Sequence, residues 1–432
     1  MPAHPDGLPL PRRYWAIAAI VLAIAMSVLD SSIVNVALPT IARDFRASAA
    51  ASIWVINAYQ VAILAALLPL ASLGEIVGYK RISISGLGVF TLASLVCACA
   101  PSLTALSVAR VIQGLGAAGI MSVSAALVRF TYPHSLLGRA LGINAFVVAT
   151  SAALGPTVAS AVLAVGHWRW LFGINVPIGV ITILIAARAL PETARSPRRL
   201  SYVGVALHAG TFGLLISGLQ SLAHDAATWP AVGEIVCGCA LGLVLARYEL
   251  DRAAPLIPFD LLRVRLFSLS LATSICSFMA QAAALIALPF EIQRLGRSAV
   301  ETGLLMTPWP LALALAAPVA GRLADRYPAA VMGGLGLAAM AAGLALLAVF
   351  PHDGTATGFV WRMALCGLGF GLFQSPNNRA LLTSAPRAVA ILFRAYPASG
   401  SNLALGVAAA IALLAALVSM VRLAGNSTAA AH

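Results

Sequence analysis

Runs of about twenty apolar residues succeed one another along nearly the whole of this sequence, with only short polar breaks between them. A helix rises 1.5 Å per residue, so each run is long enough to cross a hydrocarbon core of roughly 30 Å. They fall at 14–38, 50–71, 83–100, 104–128, 140–165, 171–190, 202–222, 231–248, 267–290, 302–320, 330–350, 358–376 and 402–421, thirteen in all. Composition agrees. Of 432 residues, 61% are hydrophobic and 9% charged, whereas soluble chains carry roughly 25% charged residues. The length alone would suggest about three soluble domains, but a water-facing surface cannot be built from this composition. The sequence predicts an all-α integral membrane protein with about 13 transmembrane helices.

The net charge of +13 does not point to nucleic acid, because the basic residues are scattered through short loops instead of gathered on one face. They read as topology signals. With the N-terminus placed in the cytoplasm, the loops on that side hold 19 of the 27 basic residues and the opposite loops six; Arg110 and Arg362 lie in or at the start of spans. This bias sets the orientation by the positive-inside rule. Arg12 and Arg13 precede a run too long for a signal peptide and without a clear cleavage site, so it is a retained first span. The six cysteines (Cys97, Cys99, Cys237, Cys239, Cys276, Cys366) all lie in apolar runs. They lack zinc-site spacing and read as small packing residues.

The longest polar stretches flank the seventh and eighth runs, which predicts three parts: a six-helix bundle over 1–190, an inserted helix pair with its loops over 191–260, and a second bundle over 261–432 that is one span short. Two echoes support a duplication of the kind many secondary transporters carry. Gly74-Glu75-Ile-Val-Gly78-Tyr-Lys80-Arg81 is echoed by Gly321-Arg-Leu-Ala-Asp325-Arg326-Tyr, and Arg110 ahead of Gln-Gly-Leu-Gly by Arg362 ahead of Gly-Leu-Gly-Phe-Gly.

Of fourteen acidic residues, only Asp30 is expected at membrane depth. Ser27, Asp30, Ser31 and Asn35 share one helical stripe. An ionisable group there costs several kcal/mol unless paired or solvated, so it marks an ion or substrate pathway, and burial in a low dielectric favours the neutral form of a carboxyl. A structural carboxylate bonded to a neighbouring helix is the alternative. Arg110, with Gln113 on the same face, is the basic counterpart; it stays charged and cannot shuttle a proton, and a structural arginine reaching the outer interface is the other reading. Asn57 and Gln60 in the second run, and Ser270, Ser274, Ser277 and Gln281 in the ninth, are pocket candidates with Phe278 and Trp309 as aromatic walls; helix-to-helix hydrogen bonding explains them equally well. Ser151, Gly155 and Ala159 beside Pro156 form a small-residue stripe with a helix-bending proline, a hinge or close crossing. His208 reads as a packing residue rather than a proton relay. Enzyme-like strings fail in context. Gly114-Leu-Gly116-Ala-Ala-Gly119 matches a dinucleotide fingerprint but follows no strand, and the sole lysine, Lys80, sits in no Walker A sequence.

These residues resemble the major facilitator superfamily, in particular its fourteen-span drug:proton antiporter branch, over nearly the whole chain. Leu29-Asp30-Ser-Ser-Ile-Val-Asn35-Val-Ala-Leu-Pro39 is similar to that branch's first-span signature, Arg110-Val-Ile-Gln113-Gly114 to the fourth-span motif, Leu154-Gly155-Pro156 to the antiporter motif, and Trp168-Arg-Trp-Leu-Phe-Gly-Ile-Asn175-Val-Pro177-Ile-Gly179 to a string characteristic of the branch. The resemblance implies a multi-pass protein of the bacterial inner membrane, working by a rocker switch. It would export small hydrophobic or cationic compounds in exchange for protons, with no cofactor, the proton as coupling ion, and a periplasmic adaptor as a candidate partner. It implies that Asp30 is protonated or binds a cationic substrate, that Arg110 assists coupling, and that the turns around Gly74 and Gly321 form a latch; the polar stripes themselves leave Asn35, Asn57, Gln60, Gln113, Ser274, Gln281 and Trp309 as the pocket candidates. Export of one specific metabolite and an inactive, truncated relative are the competing functions. The departures are Glu75-Ile76 where the family has Asp-Arg, Ala159-Ser160 in place of two glycines, and one span too few. The six apolar residues at 388–393 cover only about 9 Å, so the last run would cross from inside to outside and leave His432 on the outer face.

Overall fold

A computed structural model describes residues 7–133, 137–193, 195–196, 200–223, 228–250, 265–323, 327–349 and 356–384. These form α1 (Arg12–Asp44), α2 (Ala49–Val77), α3 (Tyr79–Ala98), α4 (Leu103–Thr131), α5 (Leu137–Val165), α6 (Trp170–Gly173), α7 (Asn175–Ala189), α8 (Tyr202–Ala223), α9 (Thr228–Leu250), α10 (Arg265–Arg294), α11 (Ala299–Met306), α12 (Pro308–Leu323), α13 (Ala329–Val349) and α14 (Ala356–Ser384). The first twelve apolar runs coincide with helices. The sixth is divided into α6 and α7, and the tenth into α11 and α12, where Thr307 precedes Pro308. Among the described residues nine helices are long and apolar enough to cross a membrane. The thirteenth run, and with it the expected fate of His432, lies outside the described residues.

The helix ends follow from local chemistry. Ser48 and Ser102 accept from the backbone N–H of Ala51 and Ala105, and Ser298 with Glu301 forms a reciprocal capping box that opens α11. The turns closing α1 and α10 have the same bonds: Phe45 N–H to Ile41, Arg46 to Arg43 and Ala47 to Ala42, then Leu295 to Glu291, Gly296 to Gln293 and Arg297 to Ile292. The left-handed position is Arg46 (φ 50°) in one and Gly296 (φ 81°) in the other. Pro39 and Pro289 stand at matching places in the helices before these turns.

This repeat has a register that side-chain identity hides. α4 crosses α3 where a Cβ on Gly116 would strike Phe90 N, and α14 crosses α13 where a Cβ on Gly369 would strike Met340 N. Likewise a Cβ on Gly114 would strike the Tyr59 carbonyl, and one on Gly367 the Trp309 carbonyl. Tyr59 therefore corresponds to Trp309 and Gly114 to Gly367, which carries Asp30 to Ala280 and Arg110 to Met363. The expected echo of Arg110 by Arg362 is one residue out of register. One residue turns a helix by about 100°, and Arg362 instead lies beside the Trp361 ring, 5.4 Å from its centroid.

α1 is packed against α2, α4, α5 and α7 of its own group and against α10 and α11 of the other. Towards the far face, away from the N-terminus, one apolar cluster joins both groups, running from Ile33, Leu38 and Ile56 through Trp168 and Phe172 to Ile292, Met306, Trp309 and Met363. Among the described residues two further clusters lie within single groups, one around Ile20, Ile63 and Leu127 and another around Met340, Phe370 and Phe373. α8 and α9 pack on each other and on α2, where His208 Nε2 lies 3.1 Å from the Leu64 carbonyl. Of the cysteines only Cys97 and Cys366 are buried; Cys99 in the turn after α3 and Cys237, Cys239 and Cys276 on helix faces are exposed, so packing in the core accounts for two of the six. Glu234 Cβ lies beside Gly218 of α8, and its Oε2 is buried without a hydrogen-bond partner.

Candidate functional site

Asp30 and Arg110 form a buried ion pair between α1 and α4, through Arg110 Nη1 and Asp30 Oδ2. Arg110 is fully buried and does not reach the outer interface. Its Nε donates to the Val55 carbonyl of α2 at 3.0 Å, its Nη1 also to Gln113 Oε1 at 2.7 Å, and its guanidinium lies over the Tyr59 ring, 4.0 Å from the centroid. The other carboxylate oxygen, Asp30 Oδ1, accepts from Gln113 Nε2 at 2.9 Å and from Asn175 Nδ2 at 2.8 Å. Gln113 Nε2 also donates to Ser94 Oγ of α3 at 2.8 Å. One carboxylate thus gathers α1, α4 and α7, and through its partners α2 and α3. Burying two charges costs several kcal/mol per ion, offset only by good geometry and further hydrogen bonds, which are present here except at Arg110 Nη2, buried without a hydrogen-bond partner; removing one partner of the pair would leave an uncompensated charge, at a cost of about 3–5 kcal/mol.

The string 168–179 explains itself against this network. Trp168 Nε1 donates to Asp44 Oδ2 at 2.9 Å, and Arg169 donates to the Ala100 carbonyl at 3.0 Å, fixing the far end of the segment. α7 then begins at Asn175, inside the bundle and at the carboxylate. Phe172 adds a second ring near Arg110, at 5.7 Å.

The predicted stripe on α1 divides into two faces. Ser27 and Asp30 are buried against α2 and α4, with the Tyr59 hydroxyl donating to the Ser27 carbonyl at 3.0 Å, while Ser31 and Asn35 lie on a half-buried face. Of the pocket candidates, Gln113 belongs to the ion-pair network. Ser274 accepts from Asn377 Nδ2 at 2.6 Å, a bond between α10 and α14. Gln60 and Gln281 are half-buried. Asn57 and Trp309 are each 1% exposed, and Asn57 Oδ1, Trp309 Nε1 and Asn35 Oδ1 are buried without a hydrogen-bond partner.

α5 touches both groups. A Cβ on Gly155 would overlap the side chain of Ser32 on α1, whose Oγ donates to the Ala152 carbonyl at 3.1 Å. One on Gly303 of α11 would overlap Ser160 and the Pro156 carbonyl, and Thr157 and Thr307 share a hydrogen bond of 2.9 Å. The turn Gly74–Arg81 is fastened to the segment after α7. Lys80 Nζ pairs with Glu192 at 3.1 Å, Tyr79 N–H donates to Thr193 Oγ1 at 3.1 Å, and the Glu75 carbonyl accepts from Ser196 N–H at 2.8 Å. Gly78 (φ 109°) takes the left-handed bend there. Gly321 lies in α12; Asp325 and Arg326 lie outside the described residues.

Sequence reasoning singled out Asp30, Arg110 and Gln113 but gave no role to Tyr59, Ser94 or Asn175. The signal for Asn175 was its place in the tryptophan-led string; Ser94 and Tyr59 carried none.

The chain resembles proteins of known class over almost its full length. It is 48% identical to an uncharacterized transporter of Escherichia coli, YebQ, with 97% of each chain covered. It is 29% identical to the riboflavin transporter RibZ of Clostridioides difficile, covering 87% of this chain and 82% of that one, and 27% identical to the multidrug efflux pump LfrA of Mycolicibacterium smegmatis, covering 89% and 77%. Its fold matches the crystal structure of a bacterial homolog of the human lysosomal transporter Spinster, in an inward-facing and unoccupied conformation, with a TM-score of 0.67 at 16% identity over 98% of this chain and 84% of that one. The model of the Major Facilitator Superfamily matches residues 20–409. This chain is a multi-pass membrane transporter, not an enzyme, and it belongs to the Major Facilitator Superfamily.

Proposed function

We propose that this transporter exports small hydrophobic compounds in exchange for protons, and that the Asp30–Arg110 pair is the element that responds to the proton. One observation carries the reading: a single carboxylate, buried with its arginine, ties α1 to α4 and α7. A proton on Asp30 would discharge the carboxylate, turn an acceptor into a donor, and release the guanidinium and the two amides that face it. α1 would then be free to shift against α4 and α7. Because α1 also touches α10 and α11, that shift reaches the contact between the two groups. The corresponding Ala280 and Met363 have nothing to ionise, so coupling is assigned to the N-terminal group. Gly155 and Pro156 serve as the close crossing on which the groups turn.

The named relatives include a multidrug efflux pump, which supports the export reading, and a riboflavin transporter. The test is solute accumulation in everted membrane vesicles under an imposed pH gradient. Accumulation that collapses on adding a protonophore is expected; accumulation indifferent to it would overturn the reading.

A further inference from the structure

We propose that Arg362 and Trp361 form a binding site for the phosphate of a membrane phospholipid, on the periphery of the C-terminal group near the far face.

The first observation is a charge without an answer. Arg362 is 8% exposed, and its Nε is buried without a hydrogen-bond partner. A guanidinium stays charged, and a charge inside a membrane span is costly unless it is paired. Among the described residues no acid pairs with Arg362; its guanidinium lies beside the Trp361 ring, 5.4 Å from the centroid. Acids at the far end of this group are already committed, Glu291 to Arg294 at 2.7 Å and Glu301 to Arg297 at 3.3 Å. The nearest acid in sequence is Asp353, outside the described residues, and none follows it.

The second observation is where the residue sits. Arg362 comes six residues after the start of α14, about 9 Å at 1.5 Å per residue. Helical side chains lean towards the N-terminal end of their helix, which for α14 is the far face. Cys366 and Gly369, four and seven residues on, share its side of the helix and meet α13 at Gly343 and Met340, whereas Gly367 and Gly371 meet α12. α13 packs chiefly on α14, so the arginine lies at a peripheral crevice, turned away from the contact between the two groups. Trp361 is 47% exposed beside it. A long arginine runs its stem along apolar surface and brings its head to the membrane interface, where tryptophan is also at home.

The third observation comes from the repeat. Since Gly114 corresponds to Gly367, Trp361 corresponds to Val108 and Arg362 to Ala109. Val108 is exposed and Ala109 buried, so the same two places in the N-terminal group are filled by an apolar pair. Packing of this helix pair therefore requires neither the ring nor the charge. The anion that surrounds such a crevice in a bilayer is the lipid phosphodiester, and the planar guanidinium can donate to two of its oxygens at once.

The test is titration of the purified full chain, delipidated in an uncharged detergent, with dioleoylphosphatidylglycerol, with dioleoylglycerol, which has the same acyl chains and no phosphate, and with inorganic phosphate. Native mass spectrometry reads binding, and the unfolding temperature reads its effect. Phosphatidylglycerol should stay bound and raise the unfolding temperature, and the other two probes should do neither. Arg362→Met should weaken phosphatidylglycerol at least about ten-fold, the scale of a charge-assisted hydrogen bond, while unfolding no lower than the parent without lipid. Trp361→Leu, on an exposed face, should weaken it a few-fold. Asp353→Asn should leave the affinity unchanged. An equal effect of dioleoylglycerol or inorganic phosphate would overturn the proposal. So would unchanged affinity in Arg362→Met, or in Trp361→Leu should the first variant fail to fold. A gain of about ten-fold in Asp353→Asn would show the arginine already paired and overturn it as well.

Discussion

Replacing Gly155 by alanine tests the close crossing of α1 and α5. The added Cβ would overlap both Oγ and Cβ of Ser32 and stand 3.3 Å from its carbonyl carbon. Rotation of the serine cannot relieve this, since Cβ is fixed to the backbone, so the helices must move apart. Overpacking of this kind costs about 1–3 kcal/mol. The separation would also strain the Ser32 Oγ bond to the Ala152 carbonyl, worth about 0.5–1.5 kcal/mol net. Gly155→Ala should therefore destabilise the fold by about 2–4 kcal/mol. The assay is denaturant-titrated unfolding of the purified protein in detergent, run as a cycle with Ser32→Gly. That second change alone costs about 1 kcal/mol through helix propensity and the lost bond, but it removes the atoms the alanine would meet. The double variant should be more stable than the sum of the two losses by at least about 1 kcal/mol. Additivity within about 0.5 kcal/mol would refute the close crossing, and with it the role given to Gly155.

Two further outcomes are expected. Arg110→Leu should cost about 3–5 kcal/mol by leaving Asp30 charged and buried, and Asp30→Asn in the same chain should restore most of the lost stability, read from the unfolding transition. His208→Phe keeps the ring contact with Phe212, at 4.6 Å between centroids, but loses the bond to the Leu64 carbonyl. It should lower stability by about 1 kcal/mol and slow disulfide cross-linking between cysteines placed on α2 and α8; unchanged cross-linking would show that apolar packing alone holds the inserted pair.

Much of the architecture was legible because length and hydropathy alone decide where a membrane helix can run. The first twelve runs became helices for that reason, and the breaks at Ile174 and Thr307 add only local detail. Asp30 was legible as an anomaly of burial. Its partners were not, because periodicity tells which face of a helix a residue occupies but not which helix it faces. Asn175 lies 145 residues from Asp30 and reaches it only because α7 packs on α1. The same gap misled the repeat. Arg110 and Arg362 look alike as letters, yet the glycine crossings pair Arg110 with Met363. Ser27 and Asn35 looked like one stripe, and packing against α2 and α4 separates them.

The most direct test of proton coupling at the Asp30–Arg110 pair is to follow protons and solute together in liposomes that contain the purified chain and an entrapped pH-sensitive dye. With riboflavin as the solute, the parent should move protons against the solute, and Asp30→Asn should exchange solute across the membrane with no linked change in internal pH. Proton movement in Asp30→Asn equal to that of the parent would contradict the account.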